Sequence, residues 1–198
     1  MSNETSQTFV FFGIIGSGKG TQIKLLMDFL KAKDGRECVY AYPGNEYRKL
    51  AESGSFTGDI VRDSMTRGNL QPDFITDSIV TNILISSLDS KKNLIADGYP
   101  RTLVQSANFK EMMRFYERRN VKIIYIELSK AEAMKRNLLR GRDDDMKEGI
   151  EKRFDEYLNK VVPAMNYFKD KEGYTIYTIN GEQTIESVRR DIIKALNF

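Results

Sequence analysis

The stretch Gly13-Ile14-Ile15-Gly16-Ser17-Gly18-Lys19-Gly20-Thr21 constrains this chain more than any other. Residues Gly13 to Lys19 fit the pattern G-x-x-x-x-G-K. An apolar run, Phe9-Val10-Phe11-Phe12, leads straight into it, as a buried strand would. Ile23, Leu26 and Leu30 follow at helical spacing. Glycines let backbone amides turn inward around phosphate oxygens. The lysine adds a positive charge, and the helix points its N-terminus at the same anion. A strand, a glycine-rich turn and a helix in that order call for an α/β protein that binds phosphate. The residue after Lys19 is Gly20, where a hydroxyl is usual, and Thr21 comes next.

The rest of the chain repeats the strand–helix alternation. A helix runs to Ala32, and Lys33 to Arg36 is a turn. Cys38–Ala41 is a second strand, ended by Pro43-Gly44. Asn45 to Leu88 reads as three short helices broken near Ser53-Gly54-Ser55 and at Gly68 to Pro72. Asn93–Asp97 and Val121–Leu128 are the next strands, with a helix between them to about Arg118. Lys130–Leu139 is helical, Arg140–Gly149 is a charged loop, and Ile150–Lys169 is a long helix bent or split at Pro163. Thr175–Ile179 is a fifth strand, and Thr184–Leu196 is the last helix. Alternation of this kind implies a parallel, doubly wound sheet. Ligands of such sheets sit beyond the carboxyl ends of the strands. The chemical motifs lie there.

Composition removes several kinds of chemistry. Histidine is absent and Cys38 is the one cysteine. His-based general base catalysis, internal disulfides and multi-cysteine zinc sites are therefore excluded. Thirty-one basic and 28 acidic residues leave a net charge of +3, with no extended basic face for nucleic acid. No apolar run approaches the roughly 20 residues that span a bilayer. Met1 to Thr8 is polar and lacks a signal-peptide pattern. The expectation is a cytoplasmic protein that binds neither nucleic acid nor membrane.

Gly-Ser-Gly-Lys-Gly-Thr-Gln at 16–22 resembles the loop of adenylate kinases and related nucleoside monophosphate kinases. Two further motifs carry the resemblance across most of the chain. Asp97-Gly98-Tyr99-Pro100-Arg101-Thr102, with Gln105 beyond it, is similar to the family's Asp-Gly-Phe/Tyr-Pro-Arg segment. Arg140-Gly141-Arg142-Asp143-Asp144-Asp145, followed by Arg153, is similar to its short lid. The resemblance implies a P-loop three-layer fold with a five-stranded parallel sheet and two small mobile inserts. It implies a core of residues 1–41, 89–139 and 150–198, a monophosphate-binding insert at 42–88 and a lid at 140–149.

Implied roles follow residue by residue. Gly16, Ser17, Gly18, Lys19, Gly20, Thr21, Arg136 and Gln183 bind ATP. Lys19, Arg101, Arg140, Arg142 and Arg153 neutralise the phosphates during transfer, a task suited to forked and permanently charged guanidinium groups. Asp97 orients the water shell of a Mg2+ ion without ligating it directly, and Asp144 and Asp145 brace the lid. The family needs no general base, in keeping with the missing histidine. A monomer is the implied state.

The acceptor segment departs from the family pattern of Ser-Thr-Gly-Asp-Leu-Leu-Arg. Phe56-Thr57-Gly58-Asp59-Ile60-Val61-Arg62 looks like it, but only eleven positions separate Thr57 from Gly68 of the later Gly68-Asn69-Leu70-Gln71-Pro72. Pro43 precedes Gly68 by 25, which matches the family spacing. Pro43, Gly44 and Arg48 therefore take the acceptor role, and Arg62 becomes an ordinary helix residue. Tyr42-Pro43-Gly44 resembles thymidylate kinases, and Gln71 replaces an apolar residue beside the base. Gln105 favours adenine, since an amide can pair bidentately with its N6 and ring nitrogen. Together with Gly98 and Arg101 these residues form the implied monophosphate site. AMP ranks first, in the reaction ATP + AMP = 2 ADP. Kinases for dTMP, UMP, CMP or GMP stay open, as does a regulatory nucleotide-binding protein without catalysis.

Overall fold

The computed structural model describes residues 6–140 and 147–198; the side chains of residue 140 and of residues 147–150 are not described. Five parallel strands form one sheet in the order β2-β3-β1-β4-β5. They are β1 (Thr8–Gly13), β2 (Cys38–Ala41), β3 (Asn93–Asp97), β4 (Val121–Glu127) and β5 (Tyr174–Asn180). The α/β class and the five-stranded, doubly wound parallel sheet agree with the sequence expectation.

Alternation along each strand divides the core between the two faces. Val10 and Phe12 of β1 pack with Leu94 and Ala96 of β3 and with Ile123 of β4. Val80, Leu84, Phe109, Met113, Met165 and Phe168 cover that face from the helices α4 (Asp73–Ser87), α5 (Leu103–Phe115) and α8 (Val162–Asn166), and from the turn after α8. Phe9, Phe11, Ile95, Ile124 and Ile126 point the other way. There they meet Ile23, Leu26 and Leu30 of α1 (Lys19–Asp34) and Val188, Ile192 and Leu196 of α9 (Ile185–Ala195) and its end. Each such aliphatic or aromatic side chain contributes about 1.5–3 kcal/mol when fully buried. Strands apolar on both faces are what a covered parallel sheet demands.

Helices α2 (Pro43–Glu52), α3 (Phe56–Thr66) and α4 follow β2. Tyr47, Ala51 and Val61 form a small cluster of their own there, backed by Leu50, Met65, Ile75 and Ile79. The turn expected to end β2 is instead the first turn of α2, with Pro43 in its opening turn. Proline suits that place because its missing N–H would have no helical partner. Ser55 starts α3 by accepting a hydrogen bond from the Gly58 amide.

The long helix expected at 150–169 is α7 (Lys147–Glu156), a π-helical turn (Tyr157–Val161) and α8. Pro163 sits in the first turn of α8. The missing proline N–H is absorbed by the wider π-helical turn before it. Helix α6 (Lys130–Arg140) precedes the residues outside the described set, so Arg142, Asp144 and Asp145 of the expected lid lie outside the described residues.

Candidate active site

The phosphate loop connects β1 to α1. Gly13, Gly16 and Gly18 have φ of 154°, 85° and 86°, values that side-chain-bearing residues rarely adopt. Gly18 caps α1 in the left-handed conformation, and the first turn of the helix carries no acidic residue. Lys31 and Lys33 sit in its last turn. Both choices suit the helix dipole and keep the N-terminal end attractive to an anion. The Lys19 ammonium curls back across the loop, donating to the Gly13 carbonyl at 2.6 Å and the Ile14 carbonyl at 3.1 Å. Ser17 Oγ lies 3.4 Å from it. A Cβ at Gly20 would meet nothing within 4 Å, so glycine there is not imposed by crowding.

Beside the loop, the β1–β3 register sets Phe11 opposite Asp97. Asp97 is buried and accepts a 2.7 Å hydrogen bond from the Tyr40 hydroxyl at Oδ2. Burial first, and then the Asp97 charge, push the Tyr40 phenol well above its ordinary range, so it remains a donor. Tyr40 stacks on Tyr42 with ring centroids 5.5 Å apart. Arg48 Nη2 donates to the Tyr42 hydroxyl at 3.3 Å, and its Nη1 donates to the Gly44 carbonyl at 3.2 Å. A Cβ at Gly44 would strike the Tyr42 ring at 2.6 Å. Glycine at 44 therefore makes room for Tyr42, an aromatic residue with no role of its own among the sequence expectations. Tyr40 has no role among them either. Its position at the end of β2, on the same face as Asp97, was the available signal.

Arg101 follows a cis Tyr99–Pro100 peptide. Its guanidinium folds back over Gly98, whose φ is 69° and where a Cβ would meet Nη2 at 2.6 Å. Gln105 is buried. Its Oε1 accepts from the Arg101 amide at 2.8 Å, and its Nε2 donates to Asp73 Oδ1 at 2.8 Å. Thr102 caps α5, and its hydroxyl also donates to Asp73. Gln71 is buried, and its Nε2 has no hydrogen-bond partner among the described residues.

Arg62 does a different job. Its Nη1 donates to the Ala51 carbonyl at the end of α2, and it pairs with Asp59 one turn earlier on its own helix. A Cβ at Gly58 would collide with the Leu50 carbonyl, so that glycine serves the close packing of α2 and α3.

On the opposite side of the loop, Arg136 Nε donates to Glu132 at 2.8 Å. Gln183 donates to the Asn180 carbonyl and to Asp191 of α9. Arg153 lies on α7, one residue before the buried Phe154. Arg140 ends α6. The described residues contain no cluster of three or more His, Cys, Asp or Glu that could cage a metal ion. No described helix is long and apolar enough to cross a membrane.

Comparison with known proteins gives one family. The family model described as adenylate kinase matches residues 11–173. An adenylate kinase of Prochlorococcus marinus (strain MIT 9301) is 32% identical, covering 92% of this chain and 94% of the relative. One from Campylobacter curvus is 31% identical over 95% and 96% of the two chains, and one from Thermosipho africanus 29% over 94% and 98%. The matched span includes the phosphate loop, the Asp97–Arg101 turn and helices α6 and α7. This chain belongs to the adenylate kinase family and is a phosphotransferase of the nucleoside monophosphate kinase kind.

Proposed function

We propose that the protein transfers the γ-phosphoryl group of Mg-ATP to AMP, giving two molecules of ADP. The observation that carries this is the Asp97–Gln105 segment beside the phosphate loop. It sets an arginine, a buried amide and a buried carboxylate within one turn and one helix start. Gln105 uses one donor hydrogen and one lone pair within the protein. Its amide retains a second of each, enough to pair with the N6 amino group and a ring nitrogen of adenine.

In the transfer, an oxygen of the acceptor phosphate bonds to the γ-phosphorus as the bond to the β–γ bridging oxygen breaks. ADP leaves with that oxygen. The attacking oxygen is already anionic, so no side chain needs to remove a proton. Positioning and charge neutralisation then dominate. Gly16 to Thr21 offer backbone amides and Lys19 to the donor phosphates, with Arg136 and Gln183 toward its nucleoside. Arg48 and Arg101 hold the acceptor phosphate. Arg140, Arg142 and Arg153 are the arginines assigned to neutralising the charge on the transferred group.

Asp97 is the carboxylate suited to a Mg2+ water shell. It is buried beside the loop, and the hydrogen bond from Tyr40 engages Oδ2. The metal supplies charge neutralisation on the donor phosphates. With no carboxylate cage among the described residues, it would be held chiefly by phosphate and water. Residues 42–88 and 140–149 are the inserts assigned to excluding water from the transfer. The separate apolar cluster of α2–α4 supports treating the first insert as a unit. The protein would act as a monomer in the cytoplasm.

The test is ADP formation from Mg-ATP with AMP, dTMP, UMP, CMP and GMP offered singly. AMP should give the highest kcat/KM. A preference for another monophosphate would overturn the AMP assignment, and no transfer to any of them would overturn the kinase reading.

A further inference from the structure

We infer that Asn137 is a positioning residue for the phosphate loop, holding the Gly16 amide aimed at the donor phosphates. Asn137 lies on α6 and is fully buried. Its Nδ2 donates to the Ile15 carbonyl of the loop at 3.1 Å and to the Ala133 carbonyl of its own helix at 2.8 Å. Both partners are acceptors, which fixes the orientation of the amide. Its Oδ1 is buried and has no hydrogen-bond partner among the described residues. A buried acceptor left unmade is a cost that an apolar side chain would avoid. Asn137 is therefore a poor choice for stability alone.

The loop geometry supplies the reason for it. The Ile15 carbonyl and the Gly16 N–H belong to one trans peptide plane and point in opposite directions. Drawing the carbonyl outward to α6 turns the amide inward, toward the hollow that Lys19 now spans. Gly16 fits the same contact. A Cβ there would stand 2.9 Å from Asn137 Nδ2 and 3.1 Å from the Ala133 carbonyl, so the loop and α6 touch without a side chain between them. Asn137 thus ties the donor-phosphate loop to the helix that ends at Arg140.

This inference rests on the reading that ATP binds at the Gly13–Thr21 loop. The experiment compares wild type, Asn137→Leu and Asn137→Ala. The readouts are calorimetric binding of a non-hydrolysable ATP analogue, melting temperature, and KM for ATP and AMP. Leucine removes the amide donor and the unsatisfied oxygen at similar volume, so its melting temperature should hold or rise. Alanine leaves a cavity, so its melting temperature should fall. Both should bind the analogue more weakly by a similar factor of roughly 3–10, the worth of one hydrogen bond. KM for AMP should stay unchanged. Analogue affinity that is unchanged in Asn137→Leu, or that follows melting temperature across the two variants, would overturn the inference. Wild-type protein that binds no analogue would overturn the reading of the loop itself, and this inference with it.

Discussion

Tyr40 and Asp97 are joined by a 2.7 Å hydrogen bond from the phenol to Oδ2, between the ends of neighbouring parallel strands. The same phenol ring stacks on Tyr42, whose hydroxyl receives Arg48. The carboxylate assigned to the metal side and the arginine assigned to the acceptor side therefore lean on one pair of aromatic rings. Tyr40→Phe keeps the stack and removes the bond. A hydrogen bond to a charged group is worth about 1.5–3 kcal/mol. The variant should need several-fold more Mg2+ for half-maximal activity, with KM for the acceptor nearly unchanged. A Mg2+ titration at fixed ATP measures this. Equal Mg2+ requirements in the two proteins would remove Tyr40 from this role.

Alkaline titration should separate the tyrosines. Burial raises the phenols of Tyr40, Tyr99 and Tyr157, with acceptor hydrogen bonds to Asp97 and Asp77 adding to the first two. Tyr174 is pushed up to about 12. The folded pKa lies above the unfolded value of about 10 in each case. The stability these groups contribute is therefore complete below pH about 10 and is lost as pH rises toward the folded values. In ultraviolet absorbance, fewer than the ten tyrosines should ionise near pH 10 in native protein. The remainder should appear together with loss of the circular dichroism signal. Ionisation of all ten before any unfolding would contradict the burial argument.

Arg48→Ala and Arg62→Ala distinguish the two candidate acceptor motifs. Arg48 is exposed and bound to Tyr42 and Gly44, next to β2. Arg62 holds the end of α2 through the Ala51 carbonyl. Arg48→Ala should raise KM for the acceptor at least tenfold with little change in melting temperature. Arg62→Ala should lower stability slightly, by about 1 kcal/mol of lost end-capping, and leave KM for the acceptor within twofold. The opposite pattern in steady-state kinetics would move the acceptor site to α3.

Much of the fold was legible because the signals were local. Apolar runs ending in glycine marked β1 and β3, and the G-x-x-x-x-G-K pattern located the start of α1 at Lys19. The π-helical turn at Tyr157–Val161 was not legible, since only Pro163 marks it and the accommodation happens upstream. Pro43 reads as a strand end because proline at a helix start looks the same in sequence. The arginines are each marked by a motif. Tyr40, Tyr42 and Asn137 carry no such mark of their role, because their importance lies in pairings between segments, such as the one between Ile15 and Asn137. An asparagine inside a helix carries no local mark of what it faces.

Gly98→Ala tests whether the turn sets the position of Arg101. Gly98 has a φ of 69°, a conformation that alanine adopts at a cost of roughly 1–2 kcal/mol. The added methyl would also stand 2.6 Å from Arg101 Nη2. The guanidinium is an exposed, flexible end and can move aside, so the protein should still fold. What it loses is the placement of the arginine over the turn. Turnover should fall by one to two orders of magnitude, approaching that of Arg101→Ala, and the double variant should be little worse than Arg101→Ala alone. Such non-additivity is expected when one residue acts through the other. Fully multiplicative losses in kcat/KM for the acceptor would show that Gly98 acts independently of Arg101.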